Sequence, residues 1–356
     1  MFYRQAGIRY TSYPAERQLW PLGIERVLMG LILALALIAP ALLSPLLLSS
    51  YLLPWVIWSI AALGLNLLMG GAGQIHLGYA AVMAIGAYSA THAARAGLPF
   101  ELSLLVAGLA SAVIGVIFGA AALRIRGLYL AIATLAMQYI VDFAIGHIPA
   151  ISGGTQATVA TPTPRILGIP VEGPVGGYYI ALVVCIVVTL FMLNLRRTSF
   201  GRALAAIREK DYAAEILGIS AFRYKLMAFW TSSFIGGVAG AILVFCYYRS
   251  VSPEQFHLET SVQLVAMVIV GGLGSVLGTF LGAALILLAP LALSALVASL
   301  ASSGLPIGSD LRAHLPLVLY GALIVGFLIA EPLGLAKLYD NARKYLLVWP
   351  FRHARS

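Results

Sequence analysis

The sequence predicts an all-α, polytopic membrane bundle, and three observations carry that prediction. Hydrophobic residues make up 61% of the 356-residue chain and charged residues only 10%, where a soluble domain carries about a quarter charged. The apolar residues fall into runs of about 20, the length that crosses hydrocarbon as a helix. None of the runs alternates in the way a membrane β-barrel requires. The 36 glycines add the small residues that let helices approach closely in lipid. A soluble enzyme with a large buried core does not fit this charge fraction.

In chain order, about ten crossings are expected: 27–44, 48–69, 75–94, 102–123, 128–147, 177–195, 225–248, 261–279, 280–299 and 313–330. Glycines in 261–299 divide that region into two crossings, or into one crossing and a re-entrant piece. Residues 1–26 form a cytoplasmic N-terminal segment. It holds Arg4, Arg9, Glu16, Arg17, Glu25 and Arg26 but no short apolar core before a small-residue cleavage site, so no cleavable leader is expected. Residues 27–330 form the transmembrane domain, with a polar loop at 196–224, and 331–356 form a cytoplasmic tail. Its ending "KYLLVWPFRHARS" mixes aromatics with cations, as interfacial anchors do.

Charge sets the orientation. With the N-terminus in the cytoplasm, 18 of the 22 Lys and Arg residues fall inside, Arg124 and Arg126 among them. Only Arg95, Arg165, Arg249 and Arg312 fall outside. That asymmetry is the positive-inside pattern, and it accounts for the net charge of +9 without nucleic acid. Both termini are then cytoplasmic. The long outer segment 148–176 is rich in Pro and Gly, which oppose a regular helix; it reads as a docking surface or a flexible connector.

Chemistry-bearing motifs are missing from the sequence. Cys185 and Cys246 lie in apolar runs, with no CxxC and no disulfide framework. No HExxH, GxSxG or GxxxxGK[ST] occurs, so the chain is expected to be no enzyme, to bind no metal or cofactor, and not to hydrolyse ATP by itself. Asp142 and His147 sit near the outer end of the fifth span, and His76 and His92 bracket the third. Deep positions offer mostly neutral polar groups: Asn66, Gln74, Tyr79, Tyr88, Thr134, Gln138, Ser232, Ser233 and Gln263. Such groups line a path for a small polar solute or hold helices together. As a translocation path the candidates are Asn66, Gln74, His76, Tyr79, Gln138, Ser232 and Gln263. His76 adjoins "GGAG" at 70–73, which "GGLG" at 271–274 echoes. Paired glycine breaks can mark a transport site, and in so glycine-rich a chain the echo also has a chance explanation.

The polar loop carries its own helix. Over 203–218, Ala203, Ile207, Ala214 and Leu217 recur near one face, and Gly218 stands where a left-handed C-cap would end the helix. A short lone helix is marginal in water and needs something to pack against.

These stretches together resemble a family. "LGLNLLMGGAGQIHLGYAAVMAIGAY" (63–88), "LRIRGLYLAIATLA" (123–136), "SFGRALAAIREKDYAAEILGISAFRYKLMAF" (199–229), "SPEQF" (252–256) and "VIVGGLGSVLGTFLGAAL" (268–285) resemble, in order, branched-chain amino acid ABC transporter permeases of the LivM type. His76 stands where that family commonly has Ser, Tyr139 where it has Glu, and Tyr212 where the loop motif Glu-Ala-Ala-x3-Gly begins.

The resemblance implies a permease subunit of a binding-protein-dependent importer in a bacterial inner membrane, for branched-chain amino acids or a similar small polar solute. It implies a second homologous permease subunit, two ATPase subunits that hold the ATP and Mg, a periplasmic solute-binding protein, and surrounding membrane lipid. It also implies that the loop helix couples to the ATPases, which points to Arg202, Ile207, Arg208, Asp211, Ala213, Ala214, Glu215 and Gly218. A stand-alone, ion-coupled secondary transporter is the rival reading.

Overall fold

A computed structural model describes residues 23–123, 128–154, 157–166, 168–302, 309–331 and 333–348. The fold is all-α. Its helices are α1 (Gly23–Leu42), α2 (Pro45–Gly71), α3 (Tyr79–Arg95), α4 (Phe100–Ala122), α5 (Leu128–His147), α6 (Pro149–Ser152), α7 (Gly173–Leu195), α8 (Ser199–Glu209), α9 (Asp211–Ile216), α10 (Ala221–Tyr248), α11 (Leu258–Gly271), α12 (Val276–Ser302), α13 (Ser309–Ala330) and α14 (Leu335–Val348). Among the described residues, seven helices (α1, α2, α4, α5, α7, α10 and α12) are long and apolar enough to cross a membrane. Of the other expected spans, α3 has 17 residues and α11 has 14, while α13 carries a shorter apolar stretch, Val318–Phe327. Arg124, Arg126 and residues 1–22 lie outside the described residues.

Helix α2 is the axis of the bundle. Thirteen of the fourteen residues from Leu53 to Asn66 are buried, because α7, α10, α11 and α12 all pack around it. Helix α3 needs less hydrophobicity than a lipid-facing helix, since most of its Ala, Gly and Tyr residues face protein. It touches α10 backbone to backbone: a Cβ on Gly86 would lie 2.3 Å from Gly237 Cα, and one on Gly240 would lie 2.1 Å from Met83 O. The contact exists only because both surfaces lack side chains there. Ser111 Oγ of α4 donates to Val82 O at 2.9 Å, which ties the third helix into the same seam.

In two peripheral helices, α1 and α12, an internal proline is repaired the same way. Proline has no N–H, so it frees the carbonyl four residues earlier. Pro40 in α1 frees Ala36 O, and the Tyr178 hydroxyl donates to that oxygen at 2.8 Å. Pro290 in α12 frees Ile286 O, and the Tyr320 hydroxyl donates to it at 3.3 Å. A neighbouring helix therefore satisfies a carbonyl that lipid could not.

The two ends of the bundle differ. At one end lie the 72–78 connection, helices α8 and α9, the Gly272–Ser275 turn, and α14, whose Arg343 pairs with Glu25 of α1. At the other lie two short antiparallel ribbons. Val159–Ala160 pairs with Ser250–Val251, and Arg165–Ile166 with Ile169–Pro170. Segment 148–176 thus holds a short helix and strands as well as irregular chain.

Two expected boundaries move. The division of 261–299 falls at Gly272–Ser275, not near 280. Gly272 (φ 110°) and Gly274 (φ 82°) adopt backbone that L side chains avoid, while the apolar run continues across them and hides the turn from hydropathy. The helix expected over 203–218 is broken at Lys210, whose φ and ψ of −154° and 103° are extended. Leu217 consequently leaves the face shared by Ala203, Ile207 and Ala214, and is 78% exposed.

Candidate functional site

The loop between α7 and α10 is built as a unit. Thr198 caps α8, its hydroxyl accepting from Gly201 N at 3.3 Å. Helix α9 ends in a Schellman motif: Gly218 N donates to Glu215 O at 2.9 Å and Ile219 N to Ala214 O at 3.0 Å. Gly218 takes the φ of 82° that this ending demands. Ile207, Ala214 and Ala221 pack together into a small buried cluster. Lys225 Nζ meets Asp211 Oδ2 at 2.5 Å and fastens the start of α9 to α10. A six-residue helix could not persist in water without these ties.

What the ties present outward is apolar. Tyr212, Ile216 and Leu217 are 77%, 70% and 78% exposed. Of the residues expected to couple, Ala213 and Glu215 share this exposed side. Ala214 and Ile207 face inward and hold the loop's own packing. Arg202 donates to Arg197 O at 3.1 Å, and Asp211 is taken by Lys225. Arg208 turns toward the bundle, where its Nη1 donates to Gly70 O at 2.5 Å.

Beneath the loop, the two glycine motifs meet. A Cβ on Gly70 would lie 2.1 Å from Gly274 N, so the end of α2 and the turn between α11 and α12 touch through bare backbone. Asn66 pins the junction with three hydrogen bonds. Its Nδ2 donates to Ser275 O at 3.0 Å and Thr279 Oγ1 at 2.7 Å, and its Oδ1 accepts from Gly274 N at 2.8 Å. The echo between "GGAG" and "GGLG" is a spatial contact.

Most of the expected path residues spend their polar atoms internally. Tyr79 donates to Ser232 O at 2.8 Å, and Ser232 Oγ to Gly64 O at 2.6 Å. Gln138 uses both ends of its amide: Nε2 donates to Phe256 O and Asp142 Oδ1, while Oε1 accepts from Ala81 N and Ser261 Oγ. His76 is buried, edge-on to the Tyr79 ring and tilted against Phe229, and its Nδ1 has no hydrogen-bond partner. Among the described residues, the Tyr88 and Ser233 hydroxyls are the other buried side-chain polar atoms left open. Gln74 bonds only to Ala72 O through Nε2, at 3.1 Å, and half-buried Gln263 keeps its amide free. His92 and His147 each bond a backbone carbonyl, Ile151 O and Phe143 O.

One perturbed group outside the spans belongs to this site. Loss of hydration holds the Arg196 guanidinium below its ordinary value, and the positive charge of Arg208 adds to the effect. Neither arginine has a carboxylate partner among the described residues.

A many-helix bundle with a self-satisfied core and a fastened, apolar-tipped loop defines a multi-pass membrane protein. The chain belongs to the family of branched-chain amino acid transport system permease components, whose family model matches residues 47–328. It is 35% identical over 255 residues to the high-affinity branched-chain amino acid transport system permease protein LivM of Salmonella typhimurium. Identity to the LivM protein of Escherichia coli is 34% over a stretch of the same length. In both cases the match covers 65% of this chain and 60% of the relative. A probable branched-chain amino acid transport permease protein LivM of Methanocaldococcus jannaschii is 27% identical over 184 residues, covering 51% of this chain and 52% of that protein. No solved structure matches the chain.

Proposed function

We propose that the chain is the transmembrane permease subunit of a binding-protein-dependent ABC importer in a bacterial inner membrane. It moves branched-chain amino acids or a similar small polar solute, driven by ATP and Mg bound on two partner ATPase subunits. A second homologous permease subunit completes the membrane part, and a periplasmic binding protein delivers the solute. The proposed topology is ten crossings (α1–α5, α7 and α10–α13) with α8, α9, α14 and both termini in the cytoplasm and the ribboned end outside. The cation asymmetry supports that direction.

The observation that carries the reading is the exposed trio Tyr212, Ile216 and Leu217. A rigidly fastened helix that keeps large apolar side chains in water marks a protein interface. Helix α9 is the docking element, and α8 is its support. Solute passes beside the half-buried face bearing Gln263 and past Gln74, the two path candidates that combine free polar capacity with partial exposure. Asn66, His76, Tyr79, Gln138 and Ser232 shape the helices along that route. Lipid covers the exposed leucines and isoleucines of α1, α4 and α7.

Ile216→Glu and Leu217→Glu test the docking claim. Each variant is expected to purify as a folded membrane protein and to lose the ATPase subunits on copurification. ATPases retained at wild-type stoichiometry in both variants would defeat it. Cysteine labelling from outside should reach 157–166 and miss 203–218; the reverse result overturns the topology. Robust uptake by the isolated chain in liposomes carrying an ion gradient would favour the secondary transporter.

A further inference from the structure

The last carbonyls of a helix have no partner within the helix. Helix α2, the most buried element of the bundle, ends at Gly71 with such a carbonyl on Gly70. Its partner comes from 138 residues away: Arg208 Nη1 donates to it at 2.5 Å. The guanidinium charge also meets the negative end of the α2 dipole. Three glycines make room for this side chain. A Cβ on Gly73 would lie 3.3 Å from Arg208 Cγ, and one on Gly274 would lie 3.1 Å from Arg208 Nη1. The third, Gly70, lets the α11–α12 turn come close enough to sit under the same group. One guanidinium therefore closes a junction of three parts: α8, the end of α2, and the turn after α11.

This latch is set between opposing forces. Arg196 pushes Arg208 away, no carboxylate among the described residues neutralises either, and the rest of Arg208 is exposed to water. A single charge-assisted hydrogen bond holds it against the repulsion. The loop that carries it is packed as one unit across the break at Lys210, because Ile207 next to Arg208 packs on Ala214 of α9 and Ala221 of α10. Displacement of α9 is thereby transmitted to Arg208.

We propose that Arg208 is a positioning residue that transmits loop movement to the membrane part. It caps Gly70 O while the loop sits as seen here, and frees the end of α2 and the glycine junction when a partner shifts α9. The inference rests on the docking reading of α9, but assigns Arg208 a role facing the bundle instead of the partner.

The test is Arg208→Met in the assembled transporter, which keeps the aliphatic stem and removes the donors and the charge. The ATPases should copurify as in the wild type, with ATP hydrolysis retained. Solute moved per ATP should fall about tenfold, the scale of one lost hydrogen bond to a charged group. Arg208→Lys, a cation that can still donate but lacks the fork, should recover the ratio to within about threefold. An unchanged ratio in Arg208→Met overturns the proposal. So does loss of the ATPases in that variant, which would make Arg208 a docking cation. Failure of the docking reading looks different: Ile216→Glu would then keep its ATPases whatever Arg208→Met does. A measurement without mutation covers the case in which Arg208→Met does not fold. Hydrogen exchange at the Ala72 and Gln74 amides, which bond to Leu67 O and Leu68 O, should change between the nucleotide-free and ATP-bound wild-type complex. A change confined to 211–220 would refute the latch.

Discussion

Helices α1 and α2 are neighbours in sequence and almost equally greasy, yet they live in different solvents. None of the residues of α1 is buried, while α2 is enclosed along most of its length. Apolar content cannot tell them apart; what differs is the company of small and polar residues. Helix α2 carries Gly64, Asn66 and Gly70, each at a contact with another helix or turn, whereas α1 offers mostly Leu, Ile and Ala. The lesson is that lipid selects hydrophobicity, but only protein contact selects glycine and neutral polar groups.

The sharpest way to break this comparison is to place the same bulk in both settings. Gly86→Leu, on enclosed α3, drives a side chain into the Gly237 backbone, which cannot yield. Monodisperse protein in detergent should fall by about tenfold or more. Gly30→Leu on α1, where an added Cβ meets nothing within 4 Å, should leave the yield unchanged. Equal yields would mean the seam between α3 and α10 is looser than described.

A smaller effect is expected from Asn66→Leu. It strands Gly274 N and removes a donor from Ser275 O and from Thr279 Oγ1, and should cost about 3 kcal/mol, given roughly 1 kcal/mol for each hydrogen bond lost. Thermal unfolding in detergent reads this; an unshifted transition would remove Asn66 as the pin of the junction.

Smaller again is the tyrosine repair of the peripheral prolines. Tyr178→Phe should cost about 1 kcal/mol, and should cost nothing in a Pro40→Ala background, where residue 40 regains an N–H for Ala36 O. A double-mutant cycle measures the difference, and equal costs in both backgrounds would sink the repair.

The least effect is electrostatic. Asp340 is held below its ordinary 3.8, chiefly by a hydrogen bond from Lys344, with further pull from the charges of Lys344, Lys337 and Arg343. A depressed carboxylate lends stability above its unfolded value and loses it as pH falls through the folded one. Protease sensitivity of α14 should be flat from pH 7 to about pH 4 and rise only below that. Asp340→Asn should show no such step, and identical profiles would deny the pair any role.

Much of this was legible beforehand. The order of apolar runs matches the order of helices, because length and hydropathy are what a bilayer reads. Gly218 announced its left-handed ending, since few other residues adopt it cheaply. The meeting of Gly70 with Gly274 was visible only as a repeated motif, for nothing local says that two breaks face each other. The break at Lys210 left no trace, as lysine is an ordinary helix former and tertiary contact overrode its preference. The inward turn of Arg208 was hidden for a similar reason: a cation on a polar loop reads as solvated until the carbonyl it caps is known. Tyr79 and Gln138 looked like path residues because a buried amide or hydroxyl looks alike whether its partner is solute or backbone.

The pairing of Glu25 with Arg343 has a consequence for how the molecule is made. The two residues are 318 positions apart, so α1 leaves the ribosome first and is clasped last. Before α14 emerges, the hydroxyls of Tyr178 and Tyr179 on Ala36 O and Leu37 O are among the ties already able to hold the first helix. A nascent chain stalled short of Arg343 would therefore display a finished inner bundle beside an unclasped first helix. The clasp itself can form only once the chain has been translated through α14.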